Sequence, residues 1–97
     1  ATAARGLCLA AARARDAGEP DAVASTVMAK YAAARAAASA SQDAVQLLGS
    51  AGCASDSRVG RFFRDAKVMQ IIEGSDQVSE LHIADHLLRK HRVGGKA

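Results

Sequence analysis

Residues 22–48 read AVASTVMAKYAAARAAASASQDAVQLL, and this stretch decides the fold. Val23, Val27, Tyr31, Ala34, Ala38, Val45 and Leu48 recur within it at steps of three, four and seven residues, the spacing of one face of an α-helix. A helix this rich in Ala gains little from burying large side chains, but its small residues let neighbouring backbones approach closely, as in a tight bundle. Its stability should therefore depend on partners. On the N-terminal side, Gly18-Glu19-Pro20-Asp21 ends a first helix running from about Thr2 to Ala17 and offers Asp21 as N-cap of the long one. On the C-terminal side, Gly49-Ser50-Ala51-Gly52 breaks the helix. Ser57 then caps a third helix, Arg58 to about Met69, with Val59, Phe62, Phe63, Ala66 and Met69 as the expected buried stripe. Ile71-Ile72 form an apolar link, and Glu73-Gly74-Ser75 a turn with Ser75 as N-cap. The fourth helix carries Val78, Leu81, Ile83, Ala84, Leu87 and Leu88 as its apolar set, and Gly94-Gly95 marks a loose end. Alternating Val, Ile and Thr runs are absent and Ala makes up about a quarter of the chain, so the fold class is all-α.

Ninety-seven residues suffice for one modest domain but not for burying a dinucleotide cofactor and a long substrate together. The chain opens Ala-Thr-Ala-Ala without an initiator Met, and a helical pattern is already running by Leu7, which suggests a fragment. The net charge of +3 is scattered, apart from Arg89, Lys90, His91, Arg92 and Lys96, and only three aromatics are present. No basic stripe alternates with stacking aromatics, which argues against nucleic-acid binding. The longest uncharged stretch, Ala44 to Ser55, is twelve residues broken by Gly49 and Gly52, short of the roughly 20 a spanning helix needs. No signal peptide precedes it, so no membrane partner is expected. Cys8 and Cys53 make no disulfide framework, and a reducing cytoplasm is the expected location.

Several polar residues have plain structural readings. His82 and His86 lie four apart beside Asp85, but no third ligand set accompanies them, so they read as a polar helix face and no metal site is expected. Arg64 and Asp65 read as ion-pairing residues, and Cys53, with no base nearby, as an inert thiol. Taken alone, Glu73 is a solvated residue ahead of a helix cap. Gln46, Gly49 and Gly52 are a glycine-rich helix end, and Ser75 with Gln77 a cap and a first-turn polar residue.

Taken in succession, those residues acquire another meaning. From Asp43 the sequence runs DAVQLLGSAGCASDSRVGRFFRDAKVMQIIEGSDQVSELHIADHLL, which resembles the closing segment of the acyl-CoA dehydrogenase family over about half the chain. That family ends a long helix in a Gln-x-x-Gly-Gly-x-Gly loop, follows it with an Arg-Asp-Ala-Arg/Lys helix, and then has Glu-Gly-Thr, a further residue and Gln or Glu. The corresponding residues here are Gln46 with Gly49, Ser50 and Gly52; Arg64-Asp65-Ala66-Lys67; and Glu73-Gly74-Ser75 with Gln77. Ser50 stands where the second loop Gly usually sits, Cys53 where an aromatic is common, and Ile72 where many members have Tyr. Arg58 and Gly60 replace the usual Pro and Glu.

The resemblance implies a four-helix up-and-down bundle, with residues 1–97 as the C-terminal helical domain of a larger flavoenzyme whose upstream helical and β-barrel domains lie outside this sequence. It implies FAD as cofactor and acyl-CoA or an acyl-carrier thioester as substrate. Such enzymes remove a proton from the carbon next to the thioester carbonyl while a hydride leaves the following carbon for the flavin, so one positioned base is needed. Glu73 is that base by resemblance. Ile72 and Gly74 would lie against the substrate, and the backbone amide at Glu73 would hydrogen-bond the thioester oxygen. Gln46, Gly49, Ser50, Gly52, Ser75 and Gln77 are the implied FAD contacts. Because the family's glycine loop touches the FAD of a neighbouring subunit, a homodimer or homotetramer follows, together with an electron-transfer acceptor. A carrier-protein-linked dehydrogenase or an acyl-CoA oxidase are close variants. A non-catalytic helical interaction module is the reading of a different class.

Overall fold

The computed structural model describes residues 2–96, with side chains described as far as His91. Helix α1 (Thr2–Asp16) leads into α2 (Ala22–Leu48), and a short 3-10 turn at Gly49–Cys53 separates α2 from α3 (Arg58–Ile71). The last helix is α4 (Asp76–Lys96). No strand occurs among the described residues, and the fold is all-α with four helices, as the composition demands.

The junctions follow from local chemistry. Gly18, at φ +67, ends α1 in a left-handed cap: its N–H donates to Arg15 O at 3.1 Å and the Glu19 N–H reaches Ala14 O at 3.0 Å. Ser57 caps α3 by accepting from the Gly60 N–H, and Ser75 Oγ accepts from the Val78 N–H in the first turn of α4. Asp21 departs from its expected part. Its backbone sits at φ −90, ψ 8, outside the extended geometry that turns a capping side chain onto the first-turn amides, and its carboxylate makes no cap hydrogen bond. Instead Oδ2 accepts from Lys90 Nζ at 3.3 Å, and Oδ1 lies 3.8 Å from His86 Nε2, which ties the start of α2 to α4. Helix α3 continues to Ile71, two residues past the expected end, and α4 runs through Gly94-Gly95 where a loose end was expected.

Helix α2 is the hub against which α1, α3 and α4 all pack. The direction of each neighbour can be read from its partners. The beginning of α3 meets the end of the hub, with Gly60 against Gly52, while Met69 near its end shares a groove with Ala33 and Ala37. Helix α4 then begins beside Lys30 and Tyr31 and reaches Asp21 through Lys90, so α3 and α4 lie in succession along α2, both antiparallel to it.

Among the described residues the buried apolar ones are all alanines: Ala11 and Ala14 on α1, Ala24, Ala29 and Ala34 on α2, and Ala66 on α3. No large side chain is fully buried among the described residues. Methyl-sized groups contribute about 0.8 kcal/mol each on burial, so this interior is thin and the helices hold together mainly by close backbone approach. Of the stripe expected on α3, only Ala66 is buried; Val59 is half-buried, and Phe62, Phe63 and Met69 are exposed. On α4 the expected apolar set faces outward, Leu81 being 72% exposed, with only Ile83 half-buried. The face turned to α2 is polar instead, carrying Asp76, Ser79, Glu80, His86 and Lys90.

Candidate active site

The turn between α3 and α4 holds two consecutive residues of positive φ. Ile72 is extended at φ −77, ψ 157, and its N–H still donates to Val68 O at 3.0 Å. Glu73 follows at φ 55 and Gly74 at φ 95, two left-handed residues in a row. Among the described residues Glu73 is the one non-glycine with positive φ. That conformation costs an L-residue about 1–2 kcal/mol, and such outliers persist only where the surroundings fix them.

Two side-chain hydrogen bonds from α2 and α3 reach the turn and the start of α4. Lys30 Nζ, from α2, donates to the Gly74 carbonyl oxygen at 2.8 Å. Gln70 Nε2, from the last turn of α3, donates to Asp76 Oδ2 at 2.7 Å across the turn. Asp76 is 6% exposed, and its other oxygen, Oδ1, is buried without a partner among the described residues. Leaving a buried acceptor unmatched costs on the order of 1–3 kcal/mol. Neighbouring Ser79 is also buried, and its N–H donates to Ser75 O at 2.8 Å.

Ile72, Glu73, Gly74 and Gln77 are exposed and Ser75 is half-buried with its hydroxyl engaged as the helix cap. The Glu73 N–H, outside both helices, has no hydrogen-bond partner among the described residues. The turn therefore presents a free backbone donor and a carboxylate on the same residue. Just beyond it, Tyr31 Oη donates to Glu80 Oε1 at 2.6 Å, with the Arg35 guanidinium 5.3 Å from the ring centre. The Glu80 hydrogen bond raises the Tyr31 pKa above its ordinary 10.0, burial adds to this, and the Arg35 charge opposes it.

The second group of expected residues sits at the far end of α2. Gly49 closes the helix at φ 65, its N–H donating to Gln46 O and Val45 O, and a side chain there would meet nothing within 4 Å. Gln46 and Ser50 are exposed beside it. Gly52 differs: it is buried, and a Cβ on it would lie 3.0 Å from Val45 O. A Cβ on Gly60 would lie only 2.7 Å from Gly52 O, so these two glycines let the 3-10 turn settle between α2 and α3. The bareness of Gly52 thus serves packing within the chain, while Gly49, Ser50 and Gln46 present the open surface.

The two groups do not meet within one chain. Lys30, beside Gly74, and Gly49 are 19 positions apart along α2 (49 − 30), on the order of 28 Å at about 1.5 Å per residue. Lys30, Gln70 and Asp76, which form hydrogen bonds at the turn, were not among the residues singled out from the sequence. Lys30 lies 44 positions from its partner and carries no local signal. Gln70 and Asp76 flank the turn six apart, which is a signal once the turn is known.

Comparison with known proteins identifies the family. Residues 1–88 match the family model described as acyl-CoA dehydrogenase, C-terminal domain. The chain is 44% identical over 87 residues to the probable acyl-CoA dehydrogenase fadE25 of Mycobacterium leprae (strain TN), a match covering 90% of this chain and 22% of that protein. It is 42% identical over 67 residues to the mitochondrial short-chain specific acyl-CoA dehydrogenase of Rattus norvegicus, covering 69% of this chain and 16% of the relative. The corresponding protein of Homo sapiens is 43% identical over 65 residues, with 67% and 16% covered. The chain thus spans between 16% and 22% of the length of these relatives. By family match and by identity to these relatives, the chain belongs to the acyl-CoA dehydrogenase family, as its C-terminal helical domain.

Proposed function

We propose that this domain serves an FAD-dependent acyl-thioester dehydrogenase, with Glu73 as the base that removes the proton from the carbon next to the thioester carbonyl. The observation that carries this reading is the left-handed Glu73, whose strained backbone sets a carboxylate and an unpaired N–H side by side. The carboxylate takes the proton, and the N–H donates to the thioester oxygen as negative charge builds there. Ile72 and Gly74 line the substrate on either side of the base. Bound flavin supplies the acceptor for the hydride leaving the next carbon. In the assembled enzyme, walls from outside this chain exclude water from Glu73 and strengthen it as a base.

Gln46, Gly49 and Ser50 suit the approach of a cofactor phosphate, since the glycine is open, its backbone is left-handed, and an amide and a hydroxyl flank it. Gly52 holds that loop in shape from behind. Ser75 and Gln77 contact a flavin nucleotide from the turn side. The distance between the two groups along α2 supports their serving different cofactor molecules, and the exposed apolar faces support an assembly, a homodimer or homotetramer. The substrate is acyl-CoA or an acyl-carrier thioester, and electrons pass on to a separate acceptor. Cys8 and Cys53, both free and exposed, suit a reducing compartment such as the cytoplasm. Among the described residues no helix is long and apolar enough to cross a membrane.

Exchange of the hydrogen next to the thioester carbonyl with deuterated water isolates the base. The flavin-loaded protein should wash deuterium into acyl-CoA, and Glu73→Gln should slow this at least about 100-fold. Exchange unaffected by that substitution would remove Glu73 from the role, and failure of the full-length protein to bind flavin would favour the interaction module.

A further inference from the structure

A base on a left-handed turn is only as good as the turn's rigidity, because a misplacement of about 1 Å between reacting groups costs on the order of 100-fold in rate. Residues 72–75 belong to no helix, and the residue at the centre of the chemistry sits where L-residues are unfavourable. Something must hold them. Lys30 grips the Gly74 carbonyl oxygen from α2 at 2.8 Å, and Gln70 grips Asp76 Oδ2 from α3 at 2.7 Å. The first bond fixes the turn to the hub helix; the second fixes the end of α3 to the beginning of α4. Asp76 is buried while it makes this bond, and among the described residues its Oδ1 has no partner. A carboxylate is a poor choice there for packing alone, since burying it is unfavourable and an apolar residue of like size would not leave an orphaned oxygen.

We infer that Lys30, Gln70 and Asp76 are positioning residues that lock the 72–75 turn and aim Glu73, an inference that rests on Glu73 being the base. Asp76 spans the gap as the acceptor Gln70 needs, while Lys30, on a long side chain, closes the turn from the other side. None of the three touches the reacting atoms; they act through the backbone of Glu73 and Gly74.

The test uses the flavin-loaded full-length protein with Lys30→Met and Gln70→Leu, each removing one donor, beside Lys30→Arg and Glu73→Gln. The rate of flavin reduction by acyl-CoA should fall about 10-fold or more in each donor-deleted variant, with KM changed less than about two-fold. The reduction should appear as a lowered plateau of the pH–rate profile with its midpoint unmoved, and Lys30→Arg should recover most of the rate. Amide exchange over residues 72–76 should quicken in both donor-deleted variants while α2 keeps its protection. Adding Lys30→Met to Glu73→Gln should cost nothing further, because a turn with no base to aim has no rate to lose.

The failures are separable. Flavin reduction as fast in Glu73→Gln as in the parent removes the base, and the lock with it. Reduction lost in Glu73→Gln but kept within two-fold of the parent in Lys30→Met and Gln70→Leu overturns the lock alone. So does a shifted midpoint at an unchanged plateau, which would make Lys30 an electrostatic neighbour, or a parallel loss of rate, KM and protection throughout α2, which would make the two bonds merely structural.

Discussion

A methyl group placed on Gly60 would lie 2.7 Å from a backbone oxygen, that of Gly52, which cannot swing aside as a side chain would. Ala is ordinarily the better helix residue, by roughly 1 kcal/mol. Here the clash wins: Gly60→Ala should destabilise the chain by about 1–3 kcal/mol in urea unfolding, the range for overpacked sites. Tyr31 makes a second single-residue case. Its hydrogen bond to Glu80 favours the neutral phenol, so the folded chain holds that proton above pH 10.0. The sign follows: the stabilisation is complete below the ordinary tyrosine range and is lost as pH rises through the raised value. Tyr31 is the only tyrosine in the chain, so its phenolate absorbance is easily assigned, and Glu80→Ala should lower the titration midpoint towards 10.0. At this scale the sequence was informative wherever chemistry is local. Ser57 and Ser75 cap the helices expected of them. Asp21 looked like a cap but is drawn off by His86 and Lys90, and a competition between partners more than sixty positions apart leaves no mark in a local pattern.

Among the elements, α4 is the instructive one. Its apolar stripe was legible from spacing, but spacing reports which residues share a face and not what will cover it. The hub helix offers α4 Tyr31 and Arg35, with the Asp21 carboxylate just ahead of its first turn, and Glu80, His86 and Lys90 of α4 answer them. The apolar stripe is left outside, with Val78, Leu81 and Leu88 exposed. The same division appears on α3, where Ala66 and Gly60 take the close contact and both phenylalanines turn outward. On the reading that a further surface covers this stripe, Leu81→Asp should change the stability of the chain by no more than about 0.5 kcal/mol. In the full-length protein it should shift the assembly towards smaller species in sedimentation. An unchanged assembly would show that the stripe is uncovered. Element limits were otherwise close to those read from the sequence, because Gly18, Gly49 and Ser57 punctuate the chain by conformations and caps that are written locally.

At the scale of the whole molecule, the two proposed groups of site residues lie at opposite stretches of α2, on the order of 28 Å apart. The family was legible because short motifs in a fixed order point to it, and the family model matches residues 1–88. The bracing of the turn was not legible, since Lys30 comes to Gly74 only once α4 is laid along α2. The dry surroundings proposed for Glu73 are likewise not built by this chain, in which the residue is exposed. They depend, on the proposed reading, on further parts of the protein, and the matched region is 22% of the Mycobacterium leprae relative. The central claim is the role of that one carboxylate, and bleaching tests it most directly. Acyl-CoA added without oxygen to the yellow, flavin-loaded full-length protein should discharge its colour, and Glu73→Gln should slow the discharge by about 100-fold or more while leaving flavin bound. Equal bleaching in the two proteins would contradict the account.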